Sequence, residues 1–352
     1  ALCTSNLPDP AVIPSEHFNT VLYTGDGSTS RAITGVGFQP DLAWVKSRSS
    51  ASWWHVLTDS VRGGGFYLHS NNTNAEGGGG TSLITGFNSD GFNVNLTPNG
   101  TVNNNLDTYV AWNWKAGGTG ASNTNGSITS TVSANVDAGF SIVSYTGTGA
   151  NATVGHGLAK KPNIFMLKGR NDTPRNWRVY SDTIGATKHL YLNTTASEQV
   201  SSTQFNNTEP TSSVFTIGSH GGVNTSTKDY IAYCFHSVDG YSKVGSYTGN
   251  MSADGPFVYT GFRPKYIMVK DSSTATGWYI YDTVRDINIH NPAYKTLVPN
   301  TSGAESGSAT SHWDILSNGF KPRYANNEWN ANGSTMIYIA FAEVPFKFSN
   351  AR

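Results

Sequence analysis

The sequence predicts an all-β protein made of three tandem antiparallel β-sandwich (jelly-roll-like) repeats. Three observations carry this: a motif series that runs three times in one order, a composition of glycine turns and aromatic strands, and a near absence of helical periodicity. Tyr23-Thr24-Gly25, Tyr145-Thr146-Gly147 and Tyr247-Thr248-Gly249 each open a block the size of a small domain. Each block then reaches a proline (Pro40, Pro162, Pro264) and, six residues on, a lysine (Lys46, Lys168, Lys270). A tryptophan follows (Trp54, Trp177, Trp278), then an aspartate (Asp59, Asp182, Asp282). Each block closes on an aromatic run: Tyr109 to Trp112, Tyr230 to Tyr233, Tyr338 to Phe341.

Taken in order, residues 1–20 carry Pro8, Pro10 and Pro14 and read as an extended N-terminal arm, either a plain linker or a segment that docks on a neighbour. Repeat one is expected over 21–116. Residues 117–138 are rich in Gly, Asn, Thr and Ser and read as a linker. Repeat two spans 139–238. Asp239-Gly240 signals a tight turn into repeat three, 239–352, which ends on the apolar pair Phe346 and Phe348. Within a repeat, the run after each proline and the run from Trp to Asp are expected strands, the first able to start at a proline because no ladder donor is needed there. Asp90-Gly91 and Asn318-Gly319 each signal a turn leading into a strand, and Val214 to Ile217 is the matching run in repeat two. The spatial order of the repeats, including a pseudo-threefold arrangement, is left open.

Charge excludes one class of function. The 23 basic side chains balance the 23 acidic ones, whereas a nucleic-acid binder needs a basic surplus to neutralise phosphates. No apolar run approaches the ~20 residues of a membrane helix, so no membrane insertion is expected. The chain starts at Ala1 rather than Met, which leaves open a processed N-terminus or a piece of a longer protein. Cys3 and Cys234 have no ligand-spaced partners; Cys234 reads as a buried free thiol in a strand.

Catalysis and cofactors find no support in the residue pattern. Acids are scarce, and Glu76, Glu198 and Glu305 lie in polar loops, where solvated side chains are the simplest expectation. The nine histidines show no metal-ligand spacing, and the Asp-Gly pairs read as turns rather than calcium loops. Gly77 to Gly80 lacks the Lys-Ser/Thr that follows a phosphate loop. The recurring lysines and aspartates read as structural ion pairs or capped turns. Trp54, Trp177 and Trp278 read as core. Trp53 and Trp329 sit among polar residues and are the candidates for an exposed ring that stacks on a sugar.

At the level of whole motifs the chain resembles a family of repeat proteins encoded by tailed bacteriophages, especially marine and cyanobacterial phages. The matching stretches are Cys3 to Pro10, Gly139 to Gly147, Tyr241 to Gly249, Gly255 to Pro264 and Ala340 to Lys347. The resemblance implies a virion surface structural protein, a tail-fibre-type adhesin or a decorating protein, without catalytic residues. Its implied partners are other virion proteins, a further copy of itself (fibres are commonly trimeric) or a symmetric virion site, and a host surface glycan. A polysaccharide-degrading spike is the enzyme alternative.

Overall fold

The computed structural model describes residues 11–79, 83–96, 100–172, 174–286, 291–307 and 313–345. The first third holds β1 (Phe18–Thr24), β2 (Arg31–Ile33), β3 (Leu42–Ser47), β4 (Val56–Asp59), β5 (Phe66–Tyr67), β6 (Gly77–Gly78), β7 (Ile84–Asn88), β8 (Gly91–Val94) and β9 (Thr108–Trp114). The middle third holds β10 (Ala121–Asn123), β11 (Ser130–Asn135), β12 (Phe140–Thr146), β13 (Ala152–Gly155), β14 (Ile164–Gly169), β15 (Arg178–Ser181), β16 (Lys188–Tyr191), β17 (Gln199–Val200), β18 (Val214–Ile217), the helical turn α1 (Gly221–Asn224) and β19 (Asp229–Phe235). The last third holds β20 (Ser242–Thr248), β21 (Val258–Tyr259), β22 (Phe262–Asp271), β23 (Trp278–Asp282), β24 (Lys295–Thr296), β25 (Ser306–Gly307), β26 (Trp313–Leu316), β27 (Gly319–Pro322) and β28 (Thr335–Pro345).

The protein is all-β and its ladders are antiparallel. The strand that ends in each Tyr-Thr-Gly motif pairs with the aromatic closing strand, which pairs with the strand at the proline, which pairs with the strand leading to the aspartate. This gives β1-β9-β3-β4, β20-β28-β22-β23, and the centre of an eight-stranded sheet, β10-β11-β12-β19-β14-β15-β16-β17. Smaller sheets, β2-β8-β7, β13-β18 and β21-β27-β26, complete a sandwich-like layering.

Alternation of side chains with a period of two builds the layers. Leu42 and Trp44 of β3, Ile164 and Met166 of β14, and Tyr266 and Met268 of β22 all point into one shared core. That core also takes Trp112 and Trp114, Tyr233 and Phe235, and Ile339 and Phe341 from the closing strands. The intervening residues point outward into three separate cores, each capped by its small sheet: Ala43 and Val45, Phe165 and Leu167, Ile267 and Val269. These central strands are therefore buried on both faces, which is why they read as continuous apolar runs. The shared core packs tightly, with a void of only about 10 Å³ at its centre, room for one water at most.

Two expected connectors turn out otherwise. The described part of the N-terminal arm is not a free extended segment: Val12 and Phe18 are buried in the shared core, and Phe18 stacks on Phe341 with ring centroids 4.9 Å apart. Residues 1–10, with Cys3 and the other two prolines of the arm, lie outside the described residues, as do Phe346 and Phe348. The stretch 117–138 is not a linker either, since β10 and β11 extend the eight-stranded sheet through it. Its strand character is hidden by serines whose hydroxyls serve the backbone: Ser130 Oγ donates to the Gly155 carbonyl, and Ser133 Oγ accepts from Gly117 N–H. Pro264 lies inside β22 rather than before it, at a break in register where no ladder donor is required.

Candidate functional site

The repeated residues mark three equivalent corners. The phenol of Tyr23 donates to the Val102 carbonyl at 2.7 Å, that of Tyr145 to Val223 at 2.6 Å, and that of Tyr247 to Trp329 at 2.6 Å. The glycine two residues after each tyrosine is dictated by close approach. A Cβ there would lie 2.0 Å from Asn104 O, 2.4 Å from Thr225 O or 2.2 Å from Ala331 O. Asn103, Asn224 and Asn330 hold the facing turns. All three are fully buried, and each Oδ1 accepts a backbone N–H, from Asp26, Thr148 and Asn250. Sequence reading passed over them amid so many asparagines; each stands five residues ahead of its closing strand, a spacing that distinguishes them.

The three lysines are fully buried but do not pair with the three aspartates. Instead their ammonium groups gather backbone carbonyls. Lys46 reaches Ser47 and Ser50; Lys168 reaches Thr73 and Arg175; Lys270 reaches Thr195, Thr274 and Thr276. Burial pulls each lysine down to about 8. Lys168 and Lys270 thereby tie their own strands to a loop of the preceding third of the chain, at Thr73 and Thr195.

Asp59 and Asp282 cap turns, as the Asp-Ser/Thr pairs suggest: each Oδ1 accepts the N–H groups two and three residues on. Each Oδ2 holds a buried arginine, Arg62 or Arg285, and takes a ring donor from the adjacent sheet, the Tyr233 phenol at 2.8 Å or the Trp112 indole at 3.0 Å. Asp182 differs. Ser181 pairs with Ile164 where Asp59 pairs with Leu42 and Asp282 with Tyr266, so Asp182 is displaced by one residue and instead accepts from Asn163.

The ladders also correct the tryptophan series. Trp278 stands opposite Lys270, and one step past the last ladder pair the same place is held by Trp177 in the middle sheet and by His55 in the first, while Trp54 is 42% exposed. The equivalence shows in the contacts. Trp177 donates to the His69 carbonyl, Trp278 to Tyr191, and His55 Nε2 to Val298, each carbonyl belonging to another third of the chain. His55 does this as the neutral imidazole, since its Nδ1 accepts from Trp44 and burial lowers its pKa far below the usual value.

Glu76, Glu198 and Glu305 are not solvated loop acids. Each donates its backbone N–H across a seam, to Arg170, Ser272 and Arg48 respectively. In two of these the carboxylate also binds the guanidinium of the same partner, Arg170 or Arg48.

Of the two aromatic candidates, Trp329 is buried, only 2% exposed, between Tyr279, Tyr281 and Trp313. It therefore presents no face to a ligand, because the apolar core of its own sheet claims it. Trp53 is half-buried, and its indole donates to Asp107. Burial acts to raise the Asp107 carboxyl, but donors from Asn104, Trp53 and Ser49 outweigh it and hold the group below its ordinary value. The exposed ring beside it belongs to Trp54, which lies against His69 at 4.9 Å, with Tyr67 behind. The loop before β4 thus carries two adjacent rings with different neighbours, Trp53 on the Asp107–Asn104–Ser49 cluster and the exposed Trp54 on His69. Corresponding positions in the other two sheets are Asn176 and Gly277, so the scaffold does not require a ring there. Cys234 is a buried free thiol whose pKa burial pushes up. Among the described residues, no three His, Cys, Asp or Glu side chains gather as metal ligands, and no helix is long and apolar enough to cross a membrane.

These features define an all-β, sandwich-like protein whose three main sheets share one core and are laced by backbone and ion-pair seams. The chain belongs to the family of a domain of unknown function, DUF7483, whose model matches residues 13–345. No curated protein and no solved structure matches the chain.

Proposed function

We propose that this protein is a structural component of a bacteriophage virion surface, a tail-fibre-type adhesin or a decorating protein, built as three copies of one β-sandwich about a pseudo-threefold axis. The observation that carries this reading is the seam bond from Glu76, Glu198 and Glu305, made three times at one register and closing the chain on itself. A single chain then offers a nearly threefold body, suited to a threefold or trimeric site on a symmetric particle. The phage resemblance of the motifs supports the same assignment. Reconstruction of the native particle by cryo-EM tests it: the chain should sit at fixed copy number on fibres, tail or capsid. Its absence from particles would sink the proposal.

Within that reading, the exposed Trp54 favours recognition of a host surface glycan over a purely decorative role, since an exposed aromatic face suits a sugar ring and the scaffold does not require a ring there. Binding of the isolated protein to host polysaccharide is the direct check.

A further inference from the structure

In the middle third of the chain a buried arginine lacks the acid that its surroundings call for. Arg178 is 6% exposed. Among the described residues its guanidinium makes one hydrogen bond, from Nη1 to the Asn176 carbonyl, and its Nε makes none. It forms no ion pair there; the nearby Asp172 is taken by Arg175 and Thr225. Its plane lies over the Tyr191 ring at 4.6 Å, which offsets only part of the cost of burying a lone charge. His189, 3% exposed, packs edge-on against the same tyrosine, and neither of its ring nitrogens closes a hydrogen bond of standard geometry, although the Gln199 backbone lies close by.

The other two thirds provide an internal comparison. Arg178 pairs with the residue before Lys168, as Tyr279 pairs with the residue before Lys270 and Val56 with the residue before Lys46. Gly222 precedes the carbonyl bound by Tyr145, as Glu328 precedes the one bound by Tyr247. In the last third, the Tyr279 phenol hydrogen-bonds Glu328. In the middle third, the partner position is glycine, and a Cβ on Gly222 would lie 2.7 Å from Arg178 Nη2. The middle third therefore has a guanidinium where the last third has a phenol, and no carboxylate opposite it. Neither Arg178 nor His189 is required by the scaffold, which is built elsewhere with Val56 and Tyr67, or with Tyr279 and Thr296.

We infer that Arg178 and His189, beside the His220-Gly221-Gly222 turn in which the Gly222 N–H donates to His220 Nδ1, form a binding site for an oxyanion, either a free inorganic anion or the acidic group of a saccharide. A guanidinium fork matches two oxygens of a carboxylate, sulfate or phosphate. Burial and the neighbouring Arg178 and His220 hold His189 near 4, so it meets the ligand as a neutral donor. Arg175 lies against Gly221, with its charge paired to Asp172.

The test is calorimetric titration of the whole protein with inorganic phosphate, sulfate and glucuronate at matched ionic strength, with chloride as control. The same titrations are run on the Arg178→Tyr, Gly222→Glu double variant, which copies the pair of the last third. Saturable binding at least tenfold weaker in the double variant supports the site. Tighter binding of glucuronate than of the inorganic anions assigns it to an acidic saccharide, and the reverse order to a free anion. No binding of any of the three, or equal binding by the double variant, overturns the proposal. Should the double variant fail to fold, His189→Tyr, which copies Tyr67, takes its place and should weaken binding at least threefold; unchanged binding overturns the proposal in the same way.

Discussion

The backbone N–H of Glu305 donates to the Arg48 carbonyl at 2.8 Å, and over that bond the two side chains close a two-pronged ion pair of 2.8 and 2.9 Å. Glu305 also faces the fully buried Arg285 at 3.3 Å. Removing the acid therefore leaves Arg48 without its ion-pair partner and takes the second carboxylate from Arg285, which keeps Asp282 at 2.5 Å. Glu305→Ala should cost about 3 kcal/mol, the order expected when one member of a buried pair is lost. Glu198, at the equivalent place, meets Ser272 by backbone alone and pairs only with the half-exposed Lys188. Its alanine variant should cost less than about 1 kcal/mol. Urea unfolding of the two variants gives the comparison; equal losses would refute the ranking of the seams.

The three phenol bonds predict a second, stricter symmetry. Tyr23→Phe, Tyr145→Phe and Tyr247→Phe each leave one buried carbonyl without its donor, so each should lose roughly 1–2 kcal/mol. The three losses should agree within about 0.5 kcal/mol, because partner, distance and burial are alike. Trp329→Ala, by contrast, empties a packed core site and should cost about 3–5 kcal/mol. Chemical denaturation measures all four, and a mild Trp329→Ala would mean that this ring is not the core element its burial makes it.

Much of the framework was legible because it rests on residues with one structural use. The Tyr-Thr-Gly motif, the post-proline strand and the Asp-Ser/Thr turn each depend on local chemistry that spacing reveals. What failed to show was identity hidden by substitution. His55 does the work of Trp177 and Trp278, and the adjacent Trp54 captured the alignment because a tryptophan attracts attention that a histidine does not. Serines disguised β11, since hydroxyls that bond backbone look like loop residues. Trp329 lies among Asn326, Asn327, Glu328 and Asn330, a polar context in sequence that the sheet pairing turns inward. The site around Arg178 was illegible for another reason: only superposing the three registers exposes a missing acid.

Stability above neutral pH should follow the buried lysines. Lys46, Lys168 and Lys270 are lowered to about 8 in the folded protein against 10.5 for the free side chain. The unfolded chain therefore binds more protons between these values, and stability rises with pH across that window. The stabilising effect is complete above the unfolded value and lost as pH falls through about 8. Buried tyrosines act oppositely: Tyr145, Tyr233 and Tyr266 are raised well above 10 by burial, so they favour unfolding once the unfolded phenols ionise. The melting temperature should climb from pH 8 to roughly 9.5 and fall beyond roughly 10. Lys168→Met should flatten the rise by about a third, as one of three equivalent groups. A melting series in buffers of matched ionic strength decides it, and a slope unchanged by the substitution would show that Lys168 does not titrate in this range.

Trp54 separates recognition from architecture more cleanly than any other residue. Its ring is exposed, and the scaffold places Asn176 or Gly277 at the same position without loss of the strand that follows. Trp54→Asn should leave stability within about 0.5 kcal/mol of the parent, the usual range for a surface change. If the ring is a sugar platform, the same substitution should weaken binding to host polysaccharide about tenfold, equivalent to roughly 1.4 kcal/mol. Trp53→Ala makes the informative contrast. It removes the donor to Asp107 along with a half-buried ring, so it should lower both stability and binding. Binding that survives Trp54→Asn but fails in Trp53→Ala would move the contact to the Asp107 cluster. Binding that survives both would remove this surface from recognition and leave the three-sheet body as the part of the molecule that partners engage.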